Sequence, residues 1–173
     1  MRLSEQPVLT EQAIQRRVAE LAAEVSAASP AEGLVLVVVL KGAMVFAADL
    51  MRHLSVPVEV DFIRARSYTD TETDGQVRIT VLPEMPLAGR HVLVVEDILD
   101  TGHTTAAVLA RLQEEGPASL SLCVLLDKPS RRLHAVTPGY VGFTIRDRFV
   151  VGYGLDFNQF HRHLRAVYEL EHG

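Results

Sequence analysis

The chain has 173 residues, of which 48% are apolar and 23% charged, with a formal net charge of −5. That length suits one domain with a substantial core, read here as a single domain over 1–173. The negative balance gives little support to nucleic-acid binding by phosphate neutralisation, and the longest apolar run, Leu34 to Leu40, is too short to span a bilayer.

Thr10 and Glu11 supply an N-cap and an acid in a first turn, and Ile14, Val18, Leu21, Ala22 and Val25 then repeat at helical spacing. Leu34 to Leu40 is a continuous β-branched and leucine run, the pattern of a strand covered on both faces. Lys41-Gly42 ends it. Met44 to Leu54 reads as a helix with Val45, Ala48 and Met51 or Leu50 turned inward. Pro57 sets off a second predicted strand, Val58 to Ile63. Arg64 to Gln76 is polar, acidic at Asp70, Glu72 and Asp74, and carries Gly75; it reads as an exposed, mobile loop. Val77 to Leu82 suits a strand and Pro83 to Gly89 a turn region.

His91 to Val95 is the next predicted strand, and Thr104 to Glu115 a helix closed by Gly116-Pro117. Ser119 to Leu126 is another near-continuous apolar strand. Its Cys123, the only cysteine, reads as core packing in a reducing compartment. With a polar N-terminus that lacks a signal-peptide core, this predicts a cytoplasmic protein. Short strands at Tyr140 to Phe143 and Phe149 to Val151 are expected to finish the sheet, and a helical turn within Asn158 to Leu170. Strands and helices alternate along apolar strands, so the fold class is α/β: a mostly parallel twisted sheet flanked by helices, with ligands at the carboxyl ends of strands.

The stretch HVLVVEDILDTGHTT, His91 to Thr105, carries the strongest chemical signal. An apolar strand runs into Glu96 and Asp97, and buried adjacent carboxylates are costly unless they meet a cation or a hydrogen-bonding ligand. Asp100 follows, then a hydroxyl-rich turn at a helix start, where backbone N–H groups and the positive dipole end suit an anion. No GxxxxGK[ST] occurs and no GxGxxG follows a strand, so neither a triphosphate cradle nor a dinucleotide fold is supported. What remains is a monophosphate pocket built from Thr101, Gly102, His103, Thr104 and Thr105, with a sugar and its metal at the acids. Lys41-Gly42-Ala43 is a second candidate anion site at a strand end. Asp127-Lys128-Pro129 follows a third strand, and Lys128 suits a carbonyl oxygen on a small ligand. FVVGYGLDFNQFHR, Phe149 to Arg162, places an aromatic, glycines, an acid and a base together; Asp156 is a candidate metal ligand on a tight loop. Absence of GxSxG and of HExxH disfavours a serine hydrolase and a zinc site of that kind.

On VEDILDTGHT, LKGA, Ser67-Tyr68, LLDKP, VGF and FVVGYGLD, the chain resembles the type I phosphoribosyltransferases, and within them those acting on hypoxanthine and guanine. The resemblance spans about Leu34 to Arg162 and implies a small hood formed by the terminal segments over the main sheet. It also implies roles. Glu96 and Asp97 face the ribose hydroxyls and magnesium; Asp100 sits near purine N7 as a general acid or base; Thr101 to Thr105 hold the 5′-phosphate. Lys41 and Gly42 contact pyrophosphate, in a loop that can hold a non-proline cis peptide, and Arg162 meets the same group. Lys128 contacts the 6-oxo group, Phe149 stacks on the base with Val150 beside it, and Asp156 ligates a second magnesium. Ser67 and Tyr68 belong to a loop that closes over the reaction.

The implied reaction transfers a 5-phosphoribosyl group from phosphoribosyl pyrophosphate to a 6-oxopurine, giving the nucleotide and pyrophosphate, with Mg2+ as cofactor and a homodimer or homotetramer as the assembly. His103 occupies a variable position of the phosphate loop, the segment after Tyr68 is unusually acidic, and the end HLRAVYELEHG does not follow the family pattern. Two alternatives are weighed. One takes xanthine as the preferred base; Lys128 argues against adenine, whose exocyclic amine wants an acceptor. The other is a non-catalytic regulator that binds RNA, against which the net charge and the acidic 70–74 segment weigh.

Overall fold

The computed structural model describes residues 2–67 and 77–171. Its main sheet has six strands: β2 (Leu34–Val39), β3 (Val58–Ser67), β4 (Val77–Val81), β5 (His91–Leu99), β6 (Ser119–Asp127) and β7 (Tyr140–Thr144). They lie in the order β4-β3-β2-β5-β6-β7, all parallel except β4, which runs antiparallel to β3. β2 is buried at every residue because helices cover both sides of the sheet.

On one side α1 (Glu11–Ala28) and α2 (Met44–His53) pack over Leu36, Val38, Leu93, Val95, Cys123 and Leu125. On the other, α3 (His103–Gln113) sets Val108 and Leu112 against Val35, Val37, Val92, Val94 and Val124. The α1 cap and buried stripe are those expected: Thr10 Oγ1 accepts from the Ala13 N–H at 3.2 Å, and Ile14, Val18, Leu21, Ala22 and Val25 are buried. In α2 the expected inward face is met at Leu50 and in part at Val45, and corrected at Ala48 and Met51. Phe46, Ala47 and Leu50 are buried, whereas Met44 and Met51 are 45% and 39% exposed. The helix is apolar on both sides, and the bulkiest ring, Phe46, takes the interior.

Four further expectations are revised. β3 continues to Ser67, so Arg64 to Ser67 is strand rather than loop; it pairs with β4, Ser67 opposite Val77. The rest of the expected mobile loop, with Tyr68, lies outside the described residues. β5 runs on to Leu99, carrying Glu96 and Asp97 within the strand because β6 accompanies it to Asp127. The Phe149 to Val151 segment does not finish the main sheet. Instead β8 (Val150–Val151) joins β9 (Tyr168–Glu171) and β1 (Arg2–Leu3) in a separate antiparallel sheet ordered β1-β9-β8. Strand β9 replaces the expected helical turn, since Tyr168 and Glu169 pair with Val151 and Val150. The terminal segments thus form the expected hood.

Among the described residues, no helix is long and apolar enough to cross a membrane.

Candidate active site

The carboxyl ends of the parallel strands converge on a cavity of about 280 Å³. It is lined by Gly42 after β2, Ala65 of β3, Glu96, Asp97 and Ile98 of β5, and Asp100 to Thr105. A larger cavity, about 450 Å³, lies at the amino ends of β2, β5 and β6, where His91 is the one titratable side chain of strongly polar character apart from Tyr140. In a parallel sheet ligand chemistry belongs at the carboxyl ends, and the smaller cavity holds the acids.

Glu96 is 7% exposed. Burial first, and the adjacent Asp97 charge second, push its carboxyl well above the usual range. Burial also raises Asp97, offset in part by hydrogen bonds from Glu96 and from backbone amides. The contacts are local: the Asp97 N–H reaches Glu96 Oε1 at 3.3 Å and the Ile98 N–H reaches Asp97 Oδ1 at 3.0 Å. Among the described residues neither acid forms an ion pair, and no group of three His, Cys, Asp or Glu is arranged for a metal ion. Two acids held side by side, short of a full cage, suit a hard divalent cation that draws its other oxygens from substrate and water.

After β5 the chain turns through Gly102, whose φ of +83° is open to glycine and strained for other residues. Glycine has a second reason to be there, since a Cβ would meet the His134 carbonyl at 3.1 Å. The turn opens α3. The His103 N–H is taken by Thr101 Oγ1 at 3.3 Å and the Ala106 N–H by the Gly102 carbonyl at 2.8 Å. The Thr104 and Thr105 amides have no partner among the described residues, so two first-turn donors stand open on residues that line the cavity.

Asp100 and Lys128 stand at the ends of neighbouring strands, tied by the Lys128 N–H to the Leu99 carbonyl at 3.0 Å. Lys128 is 5% exposed, yet its Nζ lies 3.8 Å from Asp100 Oδ2 and 3.9 Å from Asp147 Oδ1. Those are ion-pair distances beyond hydrogen-bond reach, leaving donor capacity for a ligand oxygen. Arg131 completes an alternating square, 3.3 Å from Asp100 and 3.7 Å from Asp147. Sequence reading missed Asp147; its place directly before the aromatic segment, like that of Arg131 after Lys128, was the available signal.

The remaining expected residues cluster apart from the cavity. Lys41 Nζ donates to Gln159 Oε1 at 3.2 Å. Arg162 pairs with Asp156 at 2.6 Å and donates to the Gly154 carbonyl at 2.7 Å, while the Gln159 N–H donates to Asp156 Oδ2 at 2.8 Å. Asp156 is therefore already engaged, unlike Glu96 and Asp97, and can take a metal only by giving up Arg162. Gln159, which bridges Lys41 to this group, carried no sequence signal. Gly42 links the cluster to the cavity: a Cβ there would overlap the Asp97 carboxylate, and one at Gly154 would overlap the Gly42 carbonyl. The Leu40–Lys41 peptide is cis. Phe149 is 50% exposed and meets Phe157 edge-on at 5.8 Å, leaving ring surface for a planar partner, while Val150 beside it is buried. Ser67 closes β3.

A family model, the phosphoribosyl transferase domain, matches residues 6–158. The chain belongs to that family. Among phosphoribosyltransferases, hypoxanthine phosphoribosyltransferase of Haemophilus influenzae is 44% identical over 164 residues, covering 92% of each chain. The hypoxanthine-guanine-xanthine phosphoribosyltransferase of Tritrichomonas foetus is 41% identical over 155 residues, 89% of this chain and 85% of that one. A crystal structure of a hypoxanthine-guanine phosphoribosyltransferase from Bacillus anthracis, with a HEPES molecule in its active site, superposes with a TM-score of 0.93. It is 39% identical and covers 98% of this chain and 100% of its own. The mostly parallel α/β sheet flanked by helices is thus the phosphoribosyltransferase fold.

Proposed function

We propose that the chain, a single phosphoribosyltransferase domain over 1–173, transfers the 5-phosphoribosyl group of phosphoribosyl pyrophosphate to hypoxanthine or guanine. The products are IMP or GMP and pyrophosphate, and the role is purine salvage in the cytoplasm, as a homodimer or homotetramer. One observation carries the reading: a buried Glu96 beside a part-buried Asp97, neither in an ion pair among the described residues, shares a cavity with an anion-ready helix start, with a buried lysine on the next strand. The relatives' names support the choice of base.

In this reading the Thr101 to Thr105 loop holds the 5′-phosphate through its hydroxyls and the two open amides. Glu96 and Asp97 orient the ribose hydroxyls. A magnesium ion held there would draw charge from the departing pyrophosphate, and a second is assigned to Asp156. Lys41, the Gly42 loop and Arg162 meet the pyrophosphate oxygens as negative charge gathers on them. Lys128 donates to the 6-oxo group, a choice that rejects adenine because its amine would leave the buried ammonium facing another donor. Phe149 stacks on the base, with Val150 alongside. As the new bond forms, purine N7 loses its proton to Asp100. Ser67 and Tyr68 belong to the closing segment.

A spectrophotometric assay offering hypoxanthine, guanine, xanthine and adenine with phosphoribosyl pyrophosphate and magnesium tests this. Turnover of hypoxanthine or guanine is expected, with adenine inert. Turnover of adenine alone, or of none of the four, would overturn it.

A further inference from the structure

Behind the phosphate loop stands a histidine that the proposed reaction does not use. His134 follows the turn Pro129–Arg131 and reaches the loop in three ways. Its N–H donates to the Thr101 carbonyl at 3.0 Å, beside that of Leu133 at 2.9 Å. Its own carbonyl lies against Gly102. Its ring Nε2 lies 3.0 Å from His103 Nδ1, the ring centroids 4.7 Å apart and tilted by 46°. His103 in turn lines the cavity and opens α3.

Two imidazole nitrogens at that distance share one proton, one ring donating and the other accepting. The neutral pair carries two ring protons in all; a third makes a bridged monocation and keeps the contact, and a fourth would set two cations face to face. The corner already carries positive charge from the α3 N-terminus and from three basic side chains. Of these, Arg132 is paired with Asp127, Arg131 with Asp100 and Asp147, and Lys128 with the same two acids. Glu96, Asp97 and Asp100 line the same cavity as His103, and an anion seated in the loop would add the nearby negative charge that favours a cation on the pair. A phosphate monoester loses its second proton near pH ~6 and so arrives largely as a dianion near neutral pH.

We propose that the His103–His134 pair is a proton-accepting part of the phosphate subsite, taking up a shared proton when a phosphate dianion is seated. His134 is its positioning residue: it fixes the His103 ring and shares the charge. This rests on the reading that a 5′-phosphate occupies the Thr101 to Thr105 loop. It makes the subsite selective for the dianion of a phosphate monoester over an uncharged nucleoside.

Calorimetric titration of the full chain with IMP and magnesium, near pH 7 in buffers of different ionisation enthalpy, counts protons taken up. His134→Gln keeps a hydrogen-bonding partner for His103 but cannot titrate, so a purely structural role is rescued and the proton role is not. Wild type is expected to take up as much as about one more proton per IMP than His134→Gln. Its IMP affinity is also expected to fall more steeply from pH 6 to pH 8; His134→Asn serves as the second variant. Equal proton counts and superimposed pH profiles, with IMP bound, would overturn the pair alone. Failure of IMP to bind wild type would overturn both the pair and the reading beneath it.

Discussion

Asp61 of β3 and Glu96 of β5 are buried to nearly the same degree, 8% and 7% exposed, and their surroundings differ completely. Asp61 accepts the Phe62 N–H at 2.7 Å and those of Glu84 and Met85 at 2.8 Å each, pinning the turn that follows β4. Its burial is compensated within the chain. From the backbone Glu96 takes only the Asp97 N–H, at 3.3 Å, and its other contact is the carboxyl of Asp97, a second acid. Its burial has no such offset. Equal depth thus means opposite things: a buried acid that the fold satisfies holds the fold, and one left unsatisfied is held for something that binds.

Asp100 is paired with Arg131 and Lys128, yet as the proposed proton acceptor its removal gives the largest expected effect. Asp100→Ala should lower turnover by roughly 10²–10⁴-fold while phosphoribosyl pyrophosphate still binds, as steady-state rates and calorimetry would register. Unchanged turnover would remove Asp100 from the chemistry. Asp61→Ala should do the reverse. Losing a carboxylate that takes three amides should cost about 1–3 kcal/mol, or roughly 2–4 °C of Tm per kcal/mol for a chain of this size. kcat/KM of the folded enzyme should stay unchanged; a loss of activity without a loss of Tm would break the contrast.

Glu96→Gln sharpens the contrast through pH. Unfolded, Glu96 ionises in the ordinary carboxylate range; folded, burial and Asp97 raise it well above that. Between the two values the folded chain holds more protons than the unfolded one, so this site's contribution to stability falls as pH rises. The ligand-free wild type should lose stability relative to Glu96→Gln across that window, as paired thermal unfolding curves would detect. Magnesium with phosphoribosyl pyrophosphate should reverse the order, because only wild type offers both acids to the cation. The smallest effect concerns Cys123, whose thiol burial pushes up to about 12. A thiol reagent at pH 8 should leave the native chain unlabelled and modify it once unfolded.

What could be read from the sequence follows the same division. The β5–α3 stretch carries acids, hydroxyls and glycine within fifteen residues, so its chemistry was visible before its geometry, and Lys128 and Asp156 followed from their own short segments. Asp61 gave no sign. With Glu59 it reads as the polar side of an alternating strand, and its partners Glu84 and Met85 lie more than twenty residues away. His134 and Gln159 act through similarly distant contacts, with His103 and Lys41. The hood was placed by resemblance, but its pairing of Arg2 with Glu171 and of Val150 with Glu169 joins the chain ends through strands of two to four residues, too short for alternation to show. In α2, apolar residues around the helix gave no single inward face to choose, and ring size decided it.

The most direct measurement is the diffraction density of a crystal grown with IMP and magnesium. The phosphate is expected against the Thr104 and Thr105 amides, the ribose hydroxyls at Glu96 and Asp97, and the 6-oxo group within hydrogen-bond reach of Lys128. Nucleotide bound at the amino ends of the strands, with the Glu96 cavity left to solvent, would contradict it.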